Sequence, residues 1–361
     1  MYEEIKQTIL KNYEKRGKII SEKSVDKYLL DIKKIQSLLG DKGVVDDLSF
    51  LYNFNDVRSV IENMRGRKVD TETGEKVPAS DNTKRNYFQS IVSVLEYMKD
   101  DTGAIAYYQK VVNDYNKKYK EKVNEGGSVL TPENEEKLIS YEELTNIYHS
   151  VGLKVRTIVD KLKKDSNTIT EEDMNNFQIY TLLKLYMEHP ARNEFGTILF
   201  TTPSSKKMDN DKNYLVYHPR NKDIKLVIND YKTKGIYDTR EIPIPEVATL
   251  IRYWRRLIKV FMDKEKVSLE WDGMPVFYSR FFDIEGDKKW YESPMTSNML
   301  SKYFARFFQK QIGKSLSTTS IAKIVISHRN KKDSDNMKKT SKDRGTSVGT
   351  LSEVYSQVLP Q

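Results

Sequence analysis

The sequence contains no cysteine, which excludes disulfide bonds, cysteine-ligated zinc sites and thiol catalysis in one step. It also contains no uninterrupted apolar run that approaches the length of a membrane span. The first residues are charged and lack an apolar segment, so we expect no signal peptide. Histidine is scarce, and its positions are too far apart to indicate a metal site: His149, His189, His218 and His328. We therefore expect an intracellular protein that is not bound to a membrane and holds no metal.

The charge balance favours a polyanionic partner. The formal net charge is +9, although 31% of all residues are charged. A modest basic excess of this kind acts on a polyanion only if it is concentrated on one face. A basic protein without a nucleic-acid role is the alternative interpretation. The length of 361 residues predicts two or three domains, each able to bury a core.

The first third of the chain has a helical pattern. Apolar residues recur at helical spacing between positions 24 and 35, and together they form one face: Val25, Tyr28, Leu29, Ile32 and Ile35. Further helices are predicted at 56–64, from about residue 80 onwards, and at 104–122. Composition indicates a linker near 124–128 and a helix start at 131–134. We therefore predict a helical domain at 1–125, a linker at 126–139 and a second domain at 140–361.

The second region combines helices and strands. An amphipathic helix is predicted at 171–187, and Pro190 limits its length and fixes the turn that presents Arg192. Strands are predicted at 214–217, 225–231 and 240–245, with a hairpin connection at 232–239. Helices resume at 246–262, 297–311, 318–328 and 348–358. The predicted fold is mainly α, with a small antiparallel β-sheet in the second domain.

Three residues follow one another in a characteristic order. Arg192 follows the apolar helix, Lys232 lies in the basic hairpin, and Tyr355 ends a polar, small-residue segment at 344–355. This order resembles the tyrosine recombinases (phage-type integrases), in particular those of large DNA viruses and their mobile elements. By resemblance, Arg192 is the first phosphate-binding arginine, with the acidic Glu194 close behind. Lys232 is the hairpin lysine, with Lys234 as the alternative, and Tyr355 is the nucleophile.

The resemblance implies a helical, SAM-like core-binding domain that binds DNA, followed by an α-rich catalytic domain. It implies double-stranded DNA as substrate, a homo-oligomer (dimer or tetramer) on that DNA, and no cofactor. A tyrosine phenol attacks phosphorus poorly unless the phosphate charge is neutralised, and an arginine fork performs that task at any working pH. A lysine on the hairpin can protonate the departing 5′ oxygen. The expected product is a 3′-phosphotyrosine.

Two positions depart from the family pattern. The second catalytic box falls on 319–322, where Ala322 stands in place of the second arginine. Lys323 or Arg329 could supply charge there, although neither is at the matching position. Thr346 replaces the later histidine or tryptophan and can donate only one hydrogen bond. We therefore expect slow or absent cleavage. The candidate catalytic residues are Lys323, next to the first altered position, and Thr346, at the second.

Candidate DNA-binding residues are basic or aromatic and lie at a helix start, in the hairpin and beside the second box: Lys84, Arg85, Tyr87, Lys234 and Arg329. Within the same chemistry, the rival interpretation is a type IB topoisomerase. A second rival is a non-catalytic DNA-binding protein that descends from a recombinase. A third is a helical interaction protein unrelated to DNA.

Overall fold

The structure is a computed structural model that describes residues 2–17, 20–40, 48–70, 73–98, 102–124, 138–203, 205, 208–218, 224–231, 238–280, 290–330 and 340–341. The chain divides into two compact units, Met1–Gly127 and Ser128–Gln361. Both units are mainly helical in their described parts. The division falls at the beginning of the predicted linker. The predicted helix start at 131–134 and the predicted helix at 348–358 lie outside the described residues.

The first unit contains helices α1 (Tyr2–Lys15), α2 (Glu22–Leu39), α3 (Phe54–Glu62), α4 (Asp81–Met98) and α5 (Thr102–Asn124). Helix α2 begins where Ser21 accepts a hydrogen bond from the Ser24 amide, and its predicted apolar face is buried apart from the half-buried Tyr28. Helix α1 was not predicted. Only Ile5 and Ile9 of this charged helix are buried, so its apolar face is too narrow to show clearly in the sequence.

A short antiparallel hairpin interrupts the first unit. Strand β1 (Arg65–Val69) pairs with β2 (Lys76–Pro78), and Gly74 adopts a positive φ of 70° in the turn between them. The hairpin was not predicted, because its strands are largely polar and lack an alternating apolar pattern.

The second unit contains helices α6 (Tyr141–Lys164), α7 (Glu171–Glu188), α8 (Ala248–Lys264), α9 (Ser297–Ile312) and α10 (Thr318–Asn330). Capping boxes start α6 at Ser140 and Glu143, and α7 at Thr170 and Asp173. The prediction that α7 is amphipathic was wrong, because this helix is buried on nearly all sides. It is the central helix of the unit, packed against α6, α8 and α10.

Among the described helices, none is both long and apolar enough to cross a membrane.

Four strands form the sheet of the second unit in the order β3 (Ile198–Thr201), β4 (Asn213–Val216), β5 (Lys225–Ile228) and β6 (Arg240–Pro243). The three predicted strands, β4, β5 and β6, pair antiparallel as expected, but the whole sheet is mixed, because β3 runs parallel to β4. Strand β3 was not predicted, since a short apolar run has no periodicity of its own. Strand β5 ends at Ile228, earlier than predicted, and a side chain rather than a neighbouring strand binds the next backbone groups.

Candidate functional site

The candidate site is centred on the loop that joins α7 to β3 and carries Arg192. The hydroxyl of Tyr186, on the last turn of α7, donates a hydrogen bond to the carbonyl of Arg192. On the other side, Gly196 packs so closely on the start of α9 that a Cβ there would lie 2.8 Å from the Thr296 carbonyl oxygen. The loop is therefore held at both ends by packed helices.

Several polar atoms of this loop are buried without a partner. The Arg192 side chain makes no hydrogen bond or ion pair with any described residue, and its Nη1 is buried. Oε2 of Glu194 and Nδ1 of His189 are likewise buried and have no hydrogen-bond partner among the described residues. A buried polar group without a hydrogen-bond partner costs free energy, and such groups are rare in folded proteins. A bound ligand would remove this cost by supplying the missing partner. A guanidinium in this position is suited to an anion such as a phosphate.

The strands of the sheet approach the same loop. Nε2 of His189 is hydrogen-bonded to Oε1 of Glu246, in the turn before α8. A cavity of about 10 Å³ lies between the loop and the sheet, and its lining residues are His189, Ala191, Glu194, Phe195, Ile228, Arg240 and Ile242. Ile228 and Arg240 are paired across β5 and β6, at the end of the sheet from which the hairpin connection leaves. Arg240 was not identified from the sequence.

The hairpin connection begins and ends beside this loop. The hydroxyl of Tyr231 donates to the carbonyl of Asp238, and the guanidinium of Arg240 lies 5.2 Å from the centre of the Tyr231 ring. The side chain of Asn213 reaches the carbonyls of both Glu194 and Asp230, at 3.5 and 3.0 Å. Lys232 and Lys234 lie outside the described residues. The structure therefore places the residues that flank the connection, but not the two lysines, near Arg192.

Helix α10, which contains the residues of the predicted second box, contacts the same loop. Oγ1 of Thr318 donates to Oδ1 of Asn193 at 2.5 Å. Ala322 is one turn further along α10, on the same face as Thr318, and is fully buried. Lys323 points in a different direction, is half-buried and has its own interactions. As the helical pattern predicted, the neighbouring apolar residues Ile321, Ile324 and Val325 are fully buried.

Arg329 has a structural role at the end of α7. Its Nη2 donates to the carbonyl of Glu188 at 2.9 Å and to the carbonyl of Met187. These bonds satisfy carbonyls that the helix itself leaves unpaired. Burial alone would raise the pKa of the Glu188 carboxyl, but the Lys184 hydrogen bond and the Arg329 charge hold that pKa below its ordinary value. Binding of DNA by Arg329 stays a prediction.

The DNA-binding candidates of the first unit lie on the first turns of α4. Lys84, Arg85 and Tyr87 are all half-buried. Arg85 donates to Oδ1 of Asn116 and of Asn86, both at 3.2 Å, and Nζ of Lys27 lies 5.8 Å from the Tyr87 ring centre. Arg85 also lines a cleft with Asp81, Asn82, Tyr115 and Tyr119. The two tyrosines were not identified from the sequence, although their spacing of four residues places them on one face of α5.

Thr346 and Tyr355 lie outside the described residues, so the structure does not place the predicted nucleophile. In the part of the chain that is described, no three histidine, aspartate or glutamate side chains converge as a metal site. No protein-family model matches the chain, and no curated protein is significantly similar to it in sequence. Membership of the recombinase family therefore stays a prediction.

Proposed function

We propose that the chain binds double-stranded DNA and acts on it as a site-specific tyrosine recombinase or integrase. One observation carries the proposal: the Arg192 guanidinium is unpaired within the described structure, with a buried Nη1, in a loop that contacts α10 and the base of the hairpin connection. This is where the family resemblance predicts a phosphate-binding arginine. In this proposal the first unit is the SAM-like core-binding domain, the second is the catalytic domain, and both contact DNA as part of a homo-oligomer inside the cell.

The proposed reaction requires three roles. Arg192 holds the non-bridging oxygens of the scissile phosphate and neutralises their charge. The phenol of Tyr355 loses its proton to solvent, and its oxygen forms a bond to phosphorus as the bond from phosphorus to the 5′ oxygen breaks. Lys232 donates a proton to the departing 5′ oxygen, with Lys234 as the alternative donor. The reverse attack by a 5′ hydroxyl rejoins the strand and releases the tyrosine.

A second candidate function is DNA binding without cleavage. The observation that favours it is Ala322, a fully buried alanine on the face of α10 that contacts the Arg192 loop. A methyl group cannot hold a phosphate. Loss of one preorganised oxyanion donor typically costs roughly 3–4 kcal/mol of transition-state stabilisation. Cleavage by this chain is therefore proposed to be slow or absent.

The test is to incubate the protein with nicked suicide substrates from its own genetic element and to look for an adduct that survives denaturant. Tyr355→Phe removes only the hydroxyl, so DNA binding should persist while the adduct disappears. Tyr253→Phe, on α8, is the matched control and should keep the adduct. An adduct that persists in Tyr355→Phe would refute the assignment of the nucleophile.

The remaining outcomes distinguish the rivals. DNA affinity without any adduct supports the non-catalytic candidate. Relaxation of supercoiled plasmid without a specific site supports a type IB topoisomerase. Absence of DNA binding in all conditions refutes the proposal and leaves a helical interaction protein.

A further inference from the structure

Asn213 is a buried polar residue at the start of β4. Only 1% of its surface is exposed, in a unit whose interior is otherwise largely apolar. Burial of a side-chain amide is unfavourable unless its oxygen and its nitrogen both find partners. The partners of this amide are therefore informative about its role.

The Asn213 side chain holds the chain where β5 ends. Its Oδ1 accepts hydrogen bonds from the backbone amides of Asn229 and Asp230, at 2.9 and 2.7 Å. Its Nδ2 donates to the carbonyl of Asp230 at 3.0 Å. A side chain thus replaces the strand partner at the point where the hairpin connection leaves the sheet.

The same Nδ2 faces the Arg192 loop. It lies 3.3 Å from Oγ1 of Thr197 and 3.5 Å from the carbonyl of Glu194. Glu194 is two residues after Arg192, and Asp230 is two residues before Lys232. One amide therefore contacts the backbone next to the proposed phosphate-binding arginine and the backbone next to the proposed general acid.

Asn229 completes the arrangement from the opposite strand. Its Nδ2 donates to the carbonyl of Lys212 at 2.9 Å, immediately before Asn213. Its Oδ1 accepts from Oγ1 of Thr239 at 2.8 Å, where the connection returns to the sheet. With the bond from Tyr231 to Asp238, both ends of the connection are fixed relative to β4.

We infer that Asn213 is a positioning residue, which holds the backbone of Asn229 and Asp230, just before the proposed general acid in the sequence, in register with the Arg192 loop. The inference rests on the proposed function and adds a residue to it. Aspartate has the same shape but lacks the donor, so it would place a carboxylate oxygen against the carbonyls of Asp230 and Glu194. Asn213→Asp should therefore disturb the register without leaving a cavity.

The test compares cleavage of ordinary DNA with cleavage of DNA that has sulfur in place of the 5′ bridging oxygen. The pKa of a free thiol is about 8.5, so a sulfur leaving group departs as a thiolate without a donated proton. An oxygen leaving group needs a donated proton, because an alkoxide is a much stronger base. A defect that acts through the hairpin lysine should be rescued by sulfur. A defect in phosphate binding should not.

On ordinary DNA, Asn213→Asp should slow adduct formation about 10- to 100-fold, the size expected when a catalytic group is displaced by about 1 Å. On sulfur-substituted DNA, Asn213→Asp and Lys232→Ala should approach the parent rate, whereas Arg192→Ala should stay slow.

Gln178→Glu is the matched control, because the buried Gln178 amide bridges backbone groups of Tyr278 elsewhere in the unit. It should lower stability but leave the ratio of the two rates unchanged. Equal defects of Asn213→Asp on both DNAs would overturn the inference.

A second measurement does not depend on cleavage. Hydrogen exchange of the amides of Asn229 and Asp230 should accelerate in Asn213→Asp and stay unchanged in Gln178→Glu. If the parent forms no adduct on either DNA, strand cleavage as the proposed function fails, while the exchange rates still decide whether Asn213 holds the connection. Unchanged exchange at both amides would overturn the inference by itself.

Discussion

Thr318 and Asn193 are joined by a 2.5 Å hydrogen bond from Oγ1 to Oδ1, across 125 residues of sequence. The bond attaches the first turn of α10 to the residue that follows Arg192. It also directs the face that carries Ala322 towards the Arg192 loop, because residues four apart share one face of a helix. The two boxes that the resemblance assigned to one phosphate are thus on neighbouring elements.

The first prediction concerns Ala322. Ala322→Arg should raise cleavage about 100-fold and change DNA affinity little, because it adds a second oxyanion donor. The rate of adduct formation and the melting temperature are the measurements.

Lys323→Ala is the control, since position 323 points about 100° away around the helix. If Lys323→Ala abolishes cleavage and Ala322→Arg changes nothing, Lys323 is the catalytic residue. If neither variant alters cleavage, α10 is not the second box.

The second prediction compares two arginines of the second unit. Without DNA, Arg192→Met should leave the free energy of unfolding unchanged or higher, because the guanidinium makes no hydrogen bond or ion pair with any described residue. Arg329→Met should lower it by about 1–3 kcal/mol, because the carbonyls of Met187 and Glu188 lose their donor. Urea unfolding measures both. A large loss of stability in Arg192→Met would show that Arg192 serves the fold and not a ligand.

The third prediction concerns the close contact of the Arg192 loop with α9. Gly196→Ala should destabilise the protein by about 1–3 kcal/mol, because the new Cβ meets backbone atoms of Thr296 that cannot easily move. Gly152→Ala is the control, since its Cβ would meet only the Tyr180 ring, at 3.1 Å, and alanine favours a helix. Thermal unfolding of the two variants should therefore differ clearly. Equal melting temperatures would contradict the tight packing at Gly196.

The fourth prediction concerns salt. If about six phosphates are neutralised, DNA affinity should fall about a thousandfold between about 50 and about 200 mM salt. Lys84→Ala should reduce the slope of log affinity against log salt by about one. Lys6→Ala removes the same charge but should leave the slope unchanged, because Lys6 is ion-paired with Glu22 and Asp26. A flat salt dependence in the parent would favour a protein with no DNA partner.

The fifth prediction concerns pH. Because the pKa of Glu188 is lowered in the folded state, its ionised carboxyl stabilises the protein above the unfolded-state pKa, and this contribution disappears as pH falls through the folded-state pKa. Glu188→Gln should therefore reduce the free energy of unfolding at neutral pH and have little effect in strong acid. Unfolding by urea across the acidic range measures the difference. If the difference in the free energy of unfolding between the parent and Glu188→Gln grew as pH falls, the pKa of Glu188 would be raised in the folded state and not lowered.

The long helices could be predicted because a 3.6-residue period is a local property. Val25, Leu29, Ile32 and Ile35 repeat at that period, and α2 buries them. The central position of α7 could not be predicted, because a helix buried on all sides has no distinct polar face. The charged α1 and the polar strand β1 were missed for the opposite reason, since they show too little apolar pattern.

By itself, the sequence determined the mainly helical fold, the strands near the hairpin, and the order in which Arg192, Lys232, Ala322 and Tyr355 follow one another. Only the tertiary structure decided that β3 runs parallel to β4, that the Arg192 side chain lacks a partner among the described residues, and that Asn213 joins two loops. These features depend on contacts between residues far apart in the chain. Such contacts leave no period in the sequence, so they are decided only when the whole unit packs.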